Sequence, residues 1–202
     1  MKGSKDSRLG SAFDLALDMA ETLVTSVLIV VCFFTFIMRS AVVSGDSMEP
    51  TLSDGDRLLI RSFLYTPKCG DVVVVRSRVL GKRIVKRVIA VSGQKVVIDY
   101  ENDAVYVCAK DNEPTDADKL DEGYVALKDL KDPCDYFSEQ HFDEEKNRYV
   151  YTVPVGYIFV LGDNRNVSTD SRAIGLIDLN DIDGKVFFRI SSKSGRPVGR
   201  ID

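Results

Sequence analysis

The sequence predicts a mainly β protein behind a single membrane-spanning helix at its N-terminus. Two observations predict it. Residues Thr22–Met38 form a run of 17 without a charged side chain, just long enough to cross a thin bilayer as a helix. Beyond Arg39 the chain breaks into short runs rich in β-branched and aromatic residues, separated by Gly, Pro and Asp clusters; this is the pattern of many short strands in a sheet or barrel. With 202 residues, 45% of them hydrophobic, the chain can bury one sizeable core.

Taken in order, residues 1–10 are polar and mixed in charge, and Ser11–Glu21 reads as an amphipathic helix carrying Asp14, Asp18 and Glu21. The apolar span follows. A cleaved secretory signal competes with this reading, with Ser40 and Ala41 as the small residues beyond it. The run is longer than the usual apolar core of such a signal, and Arg39 stands where its cleavage region should begin, which favours an anchor. Lys2, Lys5 and Arg8 precede the span and Arg39, Arg57 and Arg61 follow it, so the positive-inside count is nearly a tie. Strands are expected at 56–61, 70–76, 83–91, 95–99, 104–107, 149–153, 157–161 and 185–190, with Gly93, Pro154–Gly156 and Gly184 among the separators. Asp111–Asp132 is polar and acidic and reads as a surface loop or insertion; Ser191–Asp202, with Ser, Gly and Pro, reads as a loose tail. The expected organisation is residues 1–39 as N-terminal segment and single transmembrane helix, 40–190 as a β-rich domain with an acidic insertion at about 99–148, and 191–202 as the tail.

Charge divides along the same lines. The net charge is −4, yet 99–148 holds about 16 acidic and 6 basic side chains, leaving the remainder basic. A near-balanced chain of this kind is not built to neutralise nucleic-acid phosphates. One histidine, His141, is too few for a His-rich zinc site, and any Ser-His-Asp mechanism would rest on it alone. Of the four cysteines, Cys32 lies in the span and Cys69, Cys108 and Cys134 beyond it. Cys108 with Cys134 as a disulfide, or free thiols, are equally compatible with the spacing.

Three segments carry candidate chemistry. In Ser44-Gly-Asp-Ser-Met-Glu-Pro-Thr-Leu52, Gly45 and Pro50 fix an irregular backbone around Ser47, so its hydroxyl can project from a turn; an ordinary polar loop is the plain alternative. In the apolar run 83–91, strand alternation puts Lys86 on one face with Ile84 and Val88, and Arg87 on the other with Val85 and Ile89. One of the two cations must meet an apolar surface. A buried lysine loses pKa toward neutrality and becomes a usable base, which arginine cannot; an edge strand with snorkelling cations is the competing reading. The third segment, Gly162-Asp-Asn-Arg-Asn-Val-Ser-Thr-Asp-Ser-Arg172, has the makings of an Asp–Arg–Ser network, or of a solvated turn.

Their order is more specific than any one of them. An apolar anchor is followed by Ser47-Met48-x-Pro50-Thr51-Leu52. Lys86-Arg87 and two hydrophobic residues come about forty positions later, then Gly162-Asp-Asn-Arg165 with Ser168-x-Asp170-Ser171-Arg172. This resembles the bacterial type I signal peptidases in a single-span, short form, from the anchor through about Ile190 and excluding most of the acidic segment. The resemblance implies Ser47 as nucleophile and Lys86 as its general base. Ser168 matches the serine that orients the lysine ammonium, Asp170 the acidic residue beside it, paired with Arg172, and Arg87 pairs with Asp163. Met48 matches the residue that lines the substrate pocket and faces lipid. It also implies antiparallel sheets with an apolar surface resting on the membrane, and a substrate bound as an added strand.

Departures stand beside these matches. Gly45 replaces a serine whose hydroxyl helps bind the oxyanion in some relatives, which leaves the Ser47 amide as the main donor. Asn166-Val167 replaces a usual Asp-Asn, and Val91-Ser-Gly-Gln94 a usual Leu-Pro-Gly-Asp. The function implied is a membrane-anchored serine endopeptidase that removes signal peptides from exported preproteins. Its catalytic domain would stand on the extracytoplasmic side of the cell membrane, with signal peptides and membrane lipid as partners and no metal or cofactor. Two other readings are a non-catalytic relative that assembles pilins or surface proteins, against which the presence of both Ser47 and Lys86 speaks, and a cytosolic self-cleaving repressor, against which the anchor speaks. Oligomeric state has no mark in the sequence.

Overall fold

No glycine or proline interrupts residues 11–36, and the chain there is one uninterrupted helix, α1 (Gly3–Phe36), in a computed structural model that describes residues 3–36, 38–125 and 141–201. Its apolar stretch runs over Asp14–Cys32, long and apolar enough to cross a membrane by length and composition. The expected span, Thr22–Met38, shares 22–32 with this stretch, its last six residues lying outside those whose side chains are described, and the expected amphipathic helix Ser11–Glu21 is continuous with it. The three acids there are too few and too well spaced to break the helix or its apolar character. Within it, the Thr22 and Ser26 hydroxyls donate to the carbonyls one turn back, Asp18 and Thr22, at 2.8 and 2.7 Å, so these polar groups are satisfied without water. Residues 1–39 and 40–202 form two compact units.

The second unit is built from short strands. β1 (Met38–Val42), β2 (Arg57–Arg61), β3 (Val72–Ser77), β4 (Lys82–Val91), β9 (Tyr157–Leu161), β10 (Ile177–Asp178), β11 (Ile182–Ser191) and β12 (Gly199–Arg200) make one sheet. Its order is β1-β2-β11-β3-β4-β9-β10, with β12 on β11. β5 (Gln94–Asp99), β6 (Ala104–Ala109), β7 (Phe142–Asp143) and β8 (Arg148–Thr152) make a second sheet in the order β6-β5-β8-β7. From β2 onward every described pairing is antiparallel. The mainly β, antiparallel architecture expected from the sequence is therefore present, as two open sheets.

Long strand β4 links the two halves. It pairs with β3 over Lys82–Ser77 through Arg87–Val72, and with β9 from Arg87 to Val91. The valines of β3 are buried on both faces, as a central strand requires. Val72 and Val74 pack with Met48, Leu52, Leu58 and Val186, while Val73 and Val75 pack with Val88 and Val160. Ile89 and Ala90 of β4 instead join Val96, Ile98, Val105 and Phe159 in the core shared with the second sheet.

Three expectations are corrected. Gly184 does not separate strands: it lies inside β11 at a register shift, where a Cβ would stand 2.5 Å from the Arg61 carbonyl oxygen. The tail is not loose, because β12 pairs with β11 and Ile201 is buried among Met48, Leu58 and Val186. The acidic stretch is no simple insertion either. Residues 99–148 include β6 and β7, which build the second sheet. Within Asp111–Asp132 the described residues are mostly exposed and form no strand of either sheet, as expected of a surface loop, but the loop is anchored: Glu113 pairs with Lys146 and Arg148 at 2.6 Å each, and Glu122 and Val125 are buried. Residues 126–140, and with them Cys134, lie outside the described residues; Cys108 is a buried free thiol.

Candidate active site

Ser47 sits on the loop between β1 and β2, and the loop's own polar groups hold it. Gly45 has φ +88°, a conformation that disfavours any side chain, and its N–H donates to Asp54 Oδ1 at 2.9 Å. Asp56, buried, accepts the Ser53 N–H at 3.0 Å and Arg189 at 3.3 Å. The chain crosses to the Gly162–Arg165 loop, where the Asn164 N–H donates to the Ser47 carbonyl at 3.1 Å and the Asn164 amide to the Asp46 carbonyl at 3.2 Å. Among the described residues the Ser47 N–H itself makes no hydrogen bond, so it is free to face an oxyanion.

β4 brings the lysine to this hydroxyl. Lys86 is 2% exposed, and its Nζ donates to Ser47 Oγ at 2.6 Å. At Lys86 β4 pairs with β3 alone, and it is burial of the side chain rather than a second flanking strand that keeps the amine from snorkelling. Burial pushes its amine down from 10.5 to about 8, the Asp170 carboxylate opposing and the Arg172 guanidinium reinforcing the shift. The sequence required one of two adjacent cations to be buried. Both are, because the cores on either face of β4 are both closed.

Arg87 is neutralised where Lys86 is not. Its Nε and Nη2 grip the two Asp163 oxygens at 2.9 and 2.8 Å, and Nη1 donates to the Gly70 carbonyl at 2.8 Å. The ring of Tyr124 lies under it, 4.1 Å from guanidinium carbon to centroid. Asp163 also accepts the Thr51 hydroxyl at 2.5 Å. Behind Lys86, Asp170 is fully buried; burial alone would raise its carboxyl. Arg172 at 2.9 and 3.0 Å, the Gly162 N–H at 3.0 Å and the nearby Ser168 hydroxyl outweigh that and hold it below the usual carboxylate range. Asp170 further caps the short helix α2 (Ser171–Ile174).

The candidate site residues Gly45, Ser47, Met48, Lys86, Arg87, Asp163, Ser168, Asp170 and Arg172 lie at or around one place, with two differences of detail. Ser168 Oγ is buried without a hydrogen bond of normal geometry and is not bonded to Lys86, although it lies close enough to Asp170 to favour its charged form. Met48 lines the groove, as expected, but is 1% exposed and packs beneath the loop rather than facing outward. Gln94 takes over a turn-closing role, its side-chain oxygen accepting the Val91 N–H at 2.8 Å. Sequence reasoning missed Thr51, Asn164, Arg165, Glu122 and Tyr124 as members of the surroundings. Asn164 and Arg165 stood inside the quoted motif, whereas Glu122 and Tyr124 carried no signal beyond an acidic stretch. His141 is elsewhere, its ring 4.7 Å from that of Tyr151. Among the described residues no three His, Cys, Asp or Glu side chains converge as metal ligands would.

A groove of about 630 Å³ opens in front of Ser47 and Lys86, walled by Val42, Ser44, Gly45, Ile84, Val85 and Val167 among others. β9 joins β4 only from Arg87 onward, so the backbone of 82–86 presents an unpaired edge to it. A serine hydroxyl held against a buried amine at the foot of an open groove of mixed polar and apolar lining has the chemistry of a nucleophile that attacks a peptide.

The chain belongs to the signal peptidase family, peptidase S26, which matches it over residues 16–191. It is 39% identical over 160 residues to signal peptidase IB of Staphylococcus aureus, covering 76% of this chain and 78% of that protein. It is 34% identical over 165 residues to a probable signal peptidase I-1 of Synechocystis, covering 76% and 71%. A solved signal peptidase I from Enterococcus faecalis V583 is 26% identical, covering 60% of this chain and 97% of that one, with a TM-score of 0.43.

Proposed function

We propose that this protein is a membrane-anchored serine endopeptidase that cleaves N-terminal signal peptides from exported preproteins with Ser47 as nucleophile and Lys86 as general base. The observation that carries the reading is the 2.6 Å approach of a buried, pKa-lowered lysine amine to a serine hydroxyl, in a chain of the signal peptidase family. Helix α1 anchors the enzyme and the β unit works on the extracytoplasmic side, so enzyme and preprotein meet in the plane of one membrane.

An extended substrate adds to the open edge of β4 at 82–86. Strand alternation then turns its −1 and −3 side chains the same way, into the groove, which favours small residues at both. Neutral Lys86 takes the Ser47 proton as Oγ bonds to the scissile carbonyl carbon, and the Ser47 N–H receives the oxyanion. Collapse breaks the C–N bond; the Lys86 ammonium gives its proton to the leaving amine of the mature chain. Lys86, neutral again, draws a proton from water, whose oxygen attacks the ester carbonyl; collapse breaks the bond to Ser47 Oγ, the Lys86 ammonium returns the proton to that oxygen, and the signal peptide is released. Arg87–Asp163 and Asp170–Arg172 hold the frame.

The test is cleavage of a preprotein bearing an Ala-x-Ala site by the detergent-solubilised full chain. Ser47→Ala and Lys86→Ala are each expected to lose roughly 10³-fold or more in kcat, the double variant little further, because the pair acts as a unit. Undiminished cleavage in either single variant overturns the reading.

A further inference from the structure

The acidic segment reaches the back of the site. Its first half is fastened to the second sheet: the Leu120 N–H donates to the Val105 carbonyl at 2.9 Å, and Lys119 bridges to Tyr106. A turn closed by the Val125 N–H on the Glu122 carbonyl, 2.9 Å, follows. From this turn two side chains meet the catalytic surroundings. Glu122 forms an ion pair with Arg165, their side chains 7% and 1% exposed. The Tyr124 ring lies under the Arg87 guanidinium, and its phenol points at Glu122 Oε1, 3.5 Å away.

These contacts fall on two fixings of one loop. Arg87 grips Asp163. Arg165, two residues on, donates through Nε to the Gly162 carbonyl at 3.0 Å, and its own carbonyl accepts Arg172 at 2.8 Å. Between them is Asn164, whose N–H holds the Ser47 carbonyl. The backbone of the nucleophile thus hangs on a loop fastened at Asp163 through Arg87 and at Arg165 through Glu122. A guanidinium 1% exposed is costly without a counter-charge, and Glu122 supplies it. Burial pushes the Tyr124 phenol up to about 12, so its ring stays neutral and electron-rich beneath Arg87.

We propose that Glu122 and Tyr124 are positioning residues through which the acidic segment sets the place of Ser47 against Lys86. They act through Arg165 and Arg87 and touch neither reacting group. This gives the first half of the acidic segment a part in the chemistry, and it rests on the reading of Ser47 and Lys86 as the reacting pair.

Full-length protein in detergent, assayed for kcat and KM separately on a preprotein, tests it. Tyr124→Leu and Glu122→Gln are expected to lower kcat roughly 10- to 100-fold, the scale of a small misplacement of reacting groups. KM should stay within about twofold, because neither residue borders the groove. Tyr124→Phe keeps the ring over Arg87 and is expected to restore kcat. Thermal unfolding run alongside separates positioning from stability. A Tyr124→Leu protein that is folded, melts lower and keeps the wild-type kcat overturns the proposal, as does a Tyr124→Phe protein as slow as Tyr124→Leu. Should Glu122→Gln fail to fold, the two Tyr124 variants decide alone. Ser47→Ala measured in parallel keeps the questions apart: cleavage retained there sinks the dyad, whereas an inactive Ser47→Ala beside wild-type kcat in the Tyr124 variants sinks the clasp only.

Discussion

Lys86 and Ser47, 39 residues apart in sequence, meet at 2.6 Å between Nζ and Oγ, and the lysine does so with its side chain buried although its backbone lies on the open edge of β4. Its neighbours on β4 include Arg87, whose charge Asp163 matches atom for atom. Among the described residues Lys86 has no such ion-pair partner. It hydrogen-bonds a hydroxyl instead, and burial rather than pairing decides its ionisation.

The pH dependence follows from that difference. With the amine lowered to about 8, kcat/KM should climb with pH along a limb centred near 8 and level off above it. Stability has its own sign. Between about 8 and 10.5 the unfolded chain binds a proton at this lysine that the folded chain does not, so stability rises with pH across that window and carries the full cost of a buried ammonium below it. Lys86→Met is therefore expected to be inactive yet to unfold at a higher temperature than the wild type at pH 7, the gap closing toward pH 10.5. A limb centred at the ordinary lysine value, or a Met variant that melts lower at pH 7, contradicts the buried-base account.

Gly162 marks where the two halves of the site come closest. A Cβ there would stand 2.2 Å from Ser168 Oγ and 2.4 Å from the Ser47 carbonyl oxygen. The serine hydroxyl can rotate away, but the carbonyl belongs to the backbone of Ser47 itself. Gly162→Ala is expected to cost about 1–3 kcal/mol in stability through overpacking and roughly 10²-fold in kcat through displacement of Ser47. Kinetics on the folded fraction, with urea unfolding for the stability, check both.

Asp163→Ala tests the frame. It strands an arginine that is 3% exposed and releases the Thr51 hydroxyl. Removing one partner of a buried pair costs about 3–5 kcal/mol, which should appear as a lower urea midpoint with an unchanged slope. A loss under about 1 kcal/mol would mean that water replaces the carboxylate.

The strands that were legible are those whose β-branched runs exceed about four residues, because burial on one or both faces writes itself into such runs. β7, β10 and β12 are two residues each, too short to hold a period, and exist because a longer neighbour supplies the ladder. Ile201 stood in a Ser-, Gly- and Pro-bearing tail, and nothing local says that Met48 and Leu58 wait for it. Ser47, Lys86, Asp163, Asp170 and Arg172 were legible through the joint order of their motifs, which resembles the type I signal peptidases; taken singly, a cation in an apolar strand and a serine between Gly and Pro each kept a plain alternative. Glu122 and Tyr124 were not, since a carboxylate among 16 acids reads as solvated until the arginine that buries it, 43 positions away, is known.

His141 supplies a negative control. Its ring packs on Tyr151, which in turn packs on Phe159 at 4.8 Å, on the second sheet's side of the core. His141→Ala is expected to leave kcat within about twofold of wild type while lowering stability by the roughly 0.5–1.5 kcal/mol of a ring pair. A loss of cleavage of the size expected for Lys86→Ala would assign the base to the wrong residue.

Ile201 decides whether the last residues belong to the catalytic unit. It is 7% exposed and shares a core with Met48, the residue next to Ser47, and with Leu52, Leu58 and Val186. Its backbone is tied in as well, the N–H donating to the Phe187 carbonyl at 3.2 Å. Ile201→Ala removes three buried carbons beneath the loop that carries Ser47, at about 2–5 kcal/mol for such a truncation. Met48 is unbranched and can shift into part of the space, which argues for the lower end. The expected result is a stability loss near 2 kcal/mol in urea unfolding, with kcat falling further than in His141→Ala because the void opens under the nucleophile's neighbour. A variant as stable as wild type would show that the tail lies on the core without being part of it.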